Sequence, residues 1–67
     1  MRITVNGQEN TAFNSPVYVT ELLEQLELAR LPVVIEVDKI ALHPREYPET
    51  LLQDGAIVEI IRVAAGG

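Results

Sequence analysis

Cysteine is absent from the 67 residues. Disulfides, thiolate metal sites and a cysteine nucleophile are therefore excluded. Histidine occurs once, at His43, and no cluster of metal-ligating residues surrounds it in the sequence. Basic residues are few and scattered: Arg2, Arg30, Lys39, Arg45 and Arg62 form no stripe. Binding to nucleic acid needs clustered Lys and Arg to neutralise phosphates, so that class is disfavoured. Apolar runs fall far short of a bilayer span, and no charged leader followed by an apolar stretch opens the chain. The expectation is a soluble cytoplasmic protein with no nucleic-acid or membrane partner.

What is present is small and acidic. Ten acidic residues against five basic ones give a net charge of −5 with the histidine neutral. Such a surface suits either a basic patch on a protein partner or plain solubility. A chain of this length makes one domain and buries only roughly 60% of the surface its unfolded form exposes. An enclosed active-site cavity would take core that the chain cannot spare. Surface or terminal chemistry is the better expectation.

Residues 1–6 alternate, with Ile3 and Val5 against Arg2, Thr4 and Asn6, the period of a half-buried strand. Asn6-Gly7 then predicts a two-residue hairpin, because a type I′ turn needs positive φ at both central positions. A return strand is expected over roughly residues 9–13, ended by Asn14-Ser15-Pro16. Val19, Leu22, Leu23 and Leu26 recur at helical spacing, with Glu21, Glu24, Gln25 and Glu27 opposite, predicting a helix over residues 19–28. Thr20 is read as its N-cap, with a start one or two residues earlier as the alternative. Val33, Ile35 and Val37 alternate with Val34, Glu36 and Asp38 in a further strand. Asp38-Lys39 turns into a short strand over residues 40–42, which His43-Pro44 ends, and Pro48 keeps the next segment irregular. Gln53-Asp54-Gly55 is a turn before a last strand over residues 57–63. The order ββαβ(β)β calls for one helix lying across one face of a mixed sheet.

The phase of the last strand decides which residues a partner could meet. If Val58 and Ile60 point at the helix, then Glu59, Ile61 and Val63 point away. Glu36 and Glu59 on the outer face favour that phase. It leaves Val34, Ile61 and Val63 as apolar side chains on a face without a helix, and these three are the candidate partner-docking residues.

Beyond the strand the chain reads Ala64-Ala65-Gly66-Gly67. Glycine without a Cβ lets an extended tail enter a narrow site and lets another group approach the backbone. These four small residues offer little area to bury, so residues 64–67 are expected to form a flexible reactive tail on a domain spanning residues 1–63. Nothing in the sequence supplies a nucleophile, base or metal constellation, so no catalytic residue is assigned. Glu46 and Glu49 are solvated charges rather than an acid–base pair, His43 is a turn residue, and Arg45 stays open between surface and partner contact.

The whole pattern resembles the ThiS family of sulfur carrier proteins, within the ubiquitin-like β-grasp superfamily. The resemblance runs over the first strand with Asn6-Gly7, Glu21-Leu22-Leu23-Glu24-Gln25-Leu26, the strand from Val33, and His43-Pro44-Arg45. It continues through Leu52-Gln53-Asp54-Gly55, Val58-Glu59-Ile60-Ile61 and Gly66-Gly67. An Asp-Gly turn, a strand and a terminal Gly-Gly in this order is its most specific combination. The resemblance implies an α+β, ubiquitin-like β-grasp fold: a mixed sheet, one helix across one face, and an extended C-terminal Gly-Gly tail. It further implies that the Gly67 carboxylate is adenylated with ATP by an E1-like, ThiF-like adenylyltransferase. A persulfide enzyme then supplies sulfur, and the resulting thiocarboxylate donates it to a ThiG-like thiazole synthase during thiamine synthesis. No permanently bound cofactor is implied, and the chain is a co-substrate rather than an enzyme. Without cysteine, the carried sulfur cannot be a cysteine persulfide. Ala64-Ala65 stands where many relatives have a bulkier residue or another glycine, which leaves open the preferred activating enzyme.

Two other readings remain beside it. A MoaD-like carrier for molybdopterin would use the same tail chemistry with a different acceptor. A ubiquitin-like interaction module would use the Gly-Gly end in conjugation or not at all.

Overall fold

A computed structural model of the chain describes residues 1–63. The first strand is shorter than the alternation suggests, with β1 at Ile3–Val5 and β2 at Gln8–Asn10. Asn6 and Gly7 take φ of 50° and 80°, the doubly left-handed turn that the dipeptide predicts. β2 stops three residues before the expected end. There the Asn10 carboxamide oxygen accepts the Ala12 N–H at 3.0 Å, an Asx turn that competes with the ladder.

Two strands lie where the sequence predicts none, one after the break at Pro16 and one in the segment expected to be irregular after Pro48. β3 is Val17–Tyr18 and β6 is Leu51–Leu52, and they pair antiparallel as a separate small sheet. Each is two residues long, too short to leave a period in the sequence. They bury Val17 and Leu52 under the core, with Tyr18 and Leu51 outside.

The helix α1 spans Val19–Gln25, buries Val19, Leu22 and Leu23, and has Tyr18, not Thr20, as its N-cap. The Glu21 carboxylate accepts the Tyr18 N–H at 2.7 Å, and the Val19 N–H goes to the Thr50 carbonyl at 2.9 Å. Those bonds satisfy donors that would otherwise be orphaned, so the helix starts before Thr20. At the other end Glu27 adopts φ 61°. The Leu28 N–H reaches the Leu23 carbonyl at 2.7 Å and the Glu27 N–H the Glu24 carbonyl at 3.0 Å. This is a Schellman closure with glutamate in the position glycine usually fills. It folds Leu28 back against the core and ends the helix well before Pro32.

β4 is Val33–Val37, β5 is Ile40–Ala41 and β7 is Ile57–Arg62. The main sheet has the order β2-β1-β7-β4-β5, with β7 parallel to β1 and antiparallel to β4. α1 lies over one face of it. Between them sit Ile3, Val19, Leu22, Leu23, Ile35, Leu52, Val58 and Ile60, joined by the 8% exposed Tyr47. Tyr47 follows a 3₁₀ turn at Pro44–Glu46, and its hydroxyl donates to the Val33 carbonyl at 3.1 Å. A buried tyrosine needs such a partner.

Both two-residue turns grip β7. The Asn6 carboxamide oxygen accepts the Ile60 N–H at 2.7 Å while its Nδ2 donates to the Ile60 carbonyl at 3.1 Å. In the β4–β5 turn, Asp38 and Lys39 take φ of 48° and 70°. The Asp38 carboxylate accepts the Ile57 N–H at 2.9 Å, and the Asp38 N–H donates to the Ile57 carbonyl at 2.8 Å. The central strand is thus held by a side chain from each neighbouring hairpin, at its first residue and at its fourth.

Candidate docking face and reactive terminus

β7 sits in the middle of the sheet and is the element that leads into the small-residue terminus. Its inward residues Val58 and Ile60 are buried, whereas Ile57, Glu59 and Ile61 are exposed, as the alternation requires. On β4 the buried Ile35 separates the outward Val34 and Glu36. The ladder sets Val34 directly opposite Ile61 and Glu36 directly opposite Glu59. Of the three candidate docking residues, Ile61 and Val34 are therefore a cross-strand pair, 64% and 46% exposed. Val63 is 45% exposed, two positions on from Ile61. Its N–H donates to the Pro32 carbonyl at 2.9 Å, which carries the β4 pairing to the last described residue. Ala64, Ala65, Gly66 and Gly67, the proposed tail and its reacting carboxylate, lie outside the described residues.

The other residues singled out in the sequence are not gathered here. His43 is exposed and precedes the 3₁₀ turn, where its N–H donates to the Glu46 carboxylate at 2.7 Å. Glu46 is thereby a capping residue, a role its sequence spacing does not announce. Arg45 is exposed on the same turn. Among the described residues no group of three or more His, Cys, Asp or Glu side chains could hold a metal ion, and no helix is long and apolar enough to cross a membrane. A shallow groove between the β1–β2 hairpin and the end of α1 is lined by Asn6, Glu9, Leu26, Leu28 and Ile60. It has one carboxylate and no nucleophile beside it.

Sequence reading missed the two side-chain clamps on β7 and the pairing of Glu36 with Glu59. Asn and Asp at the first position of a two-residue turn were the available signal for the clamps. The glutamate pairing depends on register between distant strands, which alternation alone does not set.

A helix over one face of this mixed sheet, with a central final strand running toward Gly-Gly, defines a ubiquitin-like β-grasp protein. Residues 2–67 match the model of the ThiS family. The chain belongs to the ThiS family. The crystal structure of a thiamine biosynthesis protein (ThiS) from Geobacter metallireducens is similar over 100% of both chains, with 33% identity and a TM-score of 0.85. An NMR solution structure of a thiamine biosynthesis protein from the same organism is 33% identical, with a TM-score of 0.81 over 100% of this chain and 88% of that one. No curated protein is matched significantly.

Proposed function

We propose that this chain carries sulfur as a thiocarboxylate on Gly67 for the building of the thiazole ring of thiamine. The observation that supports this reading above others is a family match that runs through residue 67 of a chain without cysteine. A carboxylate is a poor electrophile until a leaving group is attached. A ThiF-like adenylyltransferase would attach AMP from ATP, releasing pyrophosphate. A persulfide sulfur then displaces AMP, and thiol cleavage of the S–S bond leaves the sulfur on the glycine carbonyl. The thiocarboxylate so formed is a good sulfur nucleophile at neutral pH for a ThiG-like thiazole synthase. The carrier supplies position, not acid–base chemistry, and is consumed and regenerated as a co-substrate. Incubation with ATP, the adenylyltransferase and a persulfide donor should replace one oxygen by sulfur in the intact mass. An unchanged mass with an active donor system overturns the reading.

The outer sheet face around Ile61 is the docking surface in this reading. It lies on the strand that leads into the tail, so a contact there fixes the distance from partner to carboxylate. Replacing Ile61 by Asp should weaken binding of the adenylyltransferase about 30-fold, since a desolvated apolar contact becomes an unpaired charge. The melting temperature should hold, because Ile61 is 64% exposed and adds little to the core. Binding titrations beside thermal melts separate the two effects. Unchanged affinity would make the face ordinary surface.

A further inference from the structure

The docking face holds a feature that works against the stability of the free chain. Glu36 on β4 and Glu59 on β7 are directly opposite in the antiparallel ladder. Such partners stand with their Cβ atoms about 4.5–5.5 Å apart, and like charges in this position destabilise a sheet. The chain already carries a net charge of −5. Neither carboxylate has a hydrogen bond or ion pair among the described residues. Arg2, the basic side chain beside β1, is engaged elsewhere, its Nε 2.6 Å from the Glu9 carboxylate. The pair is also bordered by apolar surface: Val34 and Ile61 on one side along the strands, and the 51% exposed Ile57 on the other.

Resting on the carrier reading above, the geometry points to an arginine of the adenylyltransferase inserted between Glu36 and Glu59, with its apolar surroundings on Val34, Ile57 and Ile61. Two carboxylates at cross-strand spacing offer acceptors to two edges of one planar guanidinium, whose fixed fork of donors loses less freedom per bond than a rotating lysine ammonium. The guanidinium's methylene stem covers apolar surface while its head meets the charges. Docking excludes water from the rim, and the attraction is stronger there than in the open. The repulsion that the free chain bears then becomes specificity. A partner lacking the cation would have to desolvate two glutamates without compensation.

The test is the isosteric double variant E36Q/E59Q, which keeps the volume and removes the charge. Its free form should melt about 3 °C higher at low salt, because the cross-strand repulsion is gone. Its affinity for the adenylyltransferase should fall about 30-fold at low salt, and the salt dependence of binding should flatten. A more stable carrier that binds less well cannot be explained by damage to the fold. Unchanged affinity overturns the contact, as does a loss of affinity with an undiminished salt dependence. Self-association of the variant at unchanged partner affinity also overturns it, since the pair would then only keep this face from meeting its own copies. A loss confined to thiazole synthase binding assigns the face to the wrong partner. A parent chain that is neither bound nor loaded overturns the carrier reading itself, whereas a parent that loads normally isolates the failure to the arginine contact.

Discussion

Deleting Gly67 should abolish sulfur loading while leaving the fold and the binding of the adenylyltransferase in place. The length of chain beyond the proposed docking contact sets this outcome. The proposed docking face is on β4 and β7, and the ladder to β4 runs to the Val63 N–H. From that fixed point the carboxylate is a set number of residues away, and each extended residue spans about 3.3–3.6 Å. Removing Gly67 leaves a terminal carboxylate on Gly66, of the same chemistry but about one residue short of the nucleotide. A misplacement of even about 1 Å can cost on the order of 100-fold in a reaction that depends on near-attack geometry. A single alanine added after Gly67 should fail for the complementary reason, since the carboxylate moves outward and a Cβ enters the space glycine leaves open. Gly67 has no side chain to bury, so both variants should melt with the parent. Intact mass after the loading reaction reads the chemistry, and titration reads the docking. A Gly67 deletion that still acquires sulfur would remove this residue from its role.

Local pattern and long-range bonding differ in what the sequence could disclose. Alternation in the segments around Ile3, Ile35 and Val58 is strong because each strand has one buried face, and those three strands and their inward residues were legible. The Asn6-Gly7 turn was legible because few dipeptides accept positive φ twice. The Asp38-Lys39 turn was legible as a turn as well, but it has no glycine, and the bonds to Ile57 that hold it lie beyond any local reading. β3 and β6 were hidden for a related reason: two-residue strands exist only through each other and through the helix start between them. The helix end was misplaced because Glu27 closes a motif usually closed by glycine.

For the candidate site, exposure of Val34, Ile61 and Val63 followed from strand phase, and phase can be read from a single strand. The opposition of Glu36 and Glu59 followed from register, which belongs to two strands far apart in the chain. That difference also separates the two kinds of residue on the face. The apolar ones are legible individually, whereas the glutamates acquire meaning only as a pair.

Replacing Asn6 should cost stability through the register of β7. The parallel pairing of β1 with β7 ends at Val5 opposite Val58. Asn6 then leaves the strand direction to enter the turn, yet its own N–H still donates to the Val58 carbonyl at 2.9 Å. Its carboxamide takes the next place in the ladder, meeting both the N–H and the carbonyl of Ile60. Ile60 is a core residue, 8% exposed, so water replaces those bonds poorly. Asn6→Gly keeps the backbone at ease at φ 50° and removes only the carboxamide, and should cost about 1–3 kcal/mol. Asn6→Ala loses the same bonds and keeps a Cβ in the left-handed region without the polar side chain that lets asparagine tolerate it, for roughly 1 kcal/mol more than Asn6→Gly. At about 4–8 °C per kcal/mol in a domain this small, the alanine variant should melt roughly 8–30 °C below the parent. A chain of this length has roughly 3–10 kcal/mol in all, so the variant stands near the edge of folding. Urea and thermal unfolding of the parent, Asn6→Gly and Asn6→Ala should give that descending order. Equal stability of the parent and Asn6→Gly would show that β7 is held by its neighbouring strands alone. If both variants matched each other below the parent, the clamp would stand and the turn would be free of strain.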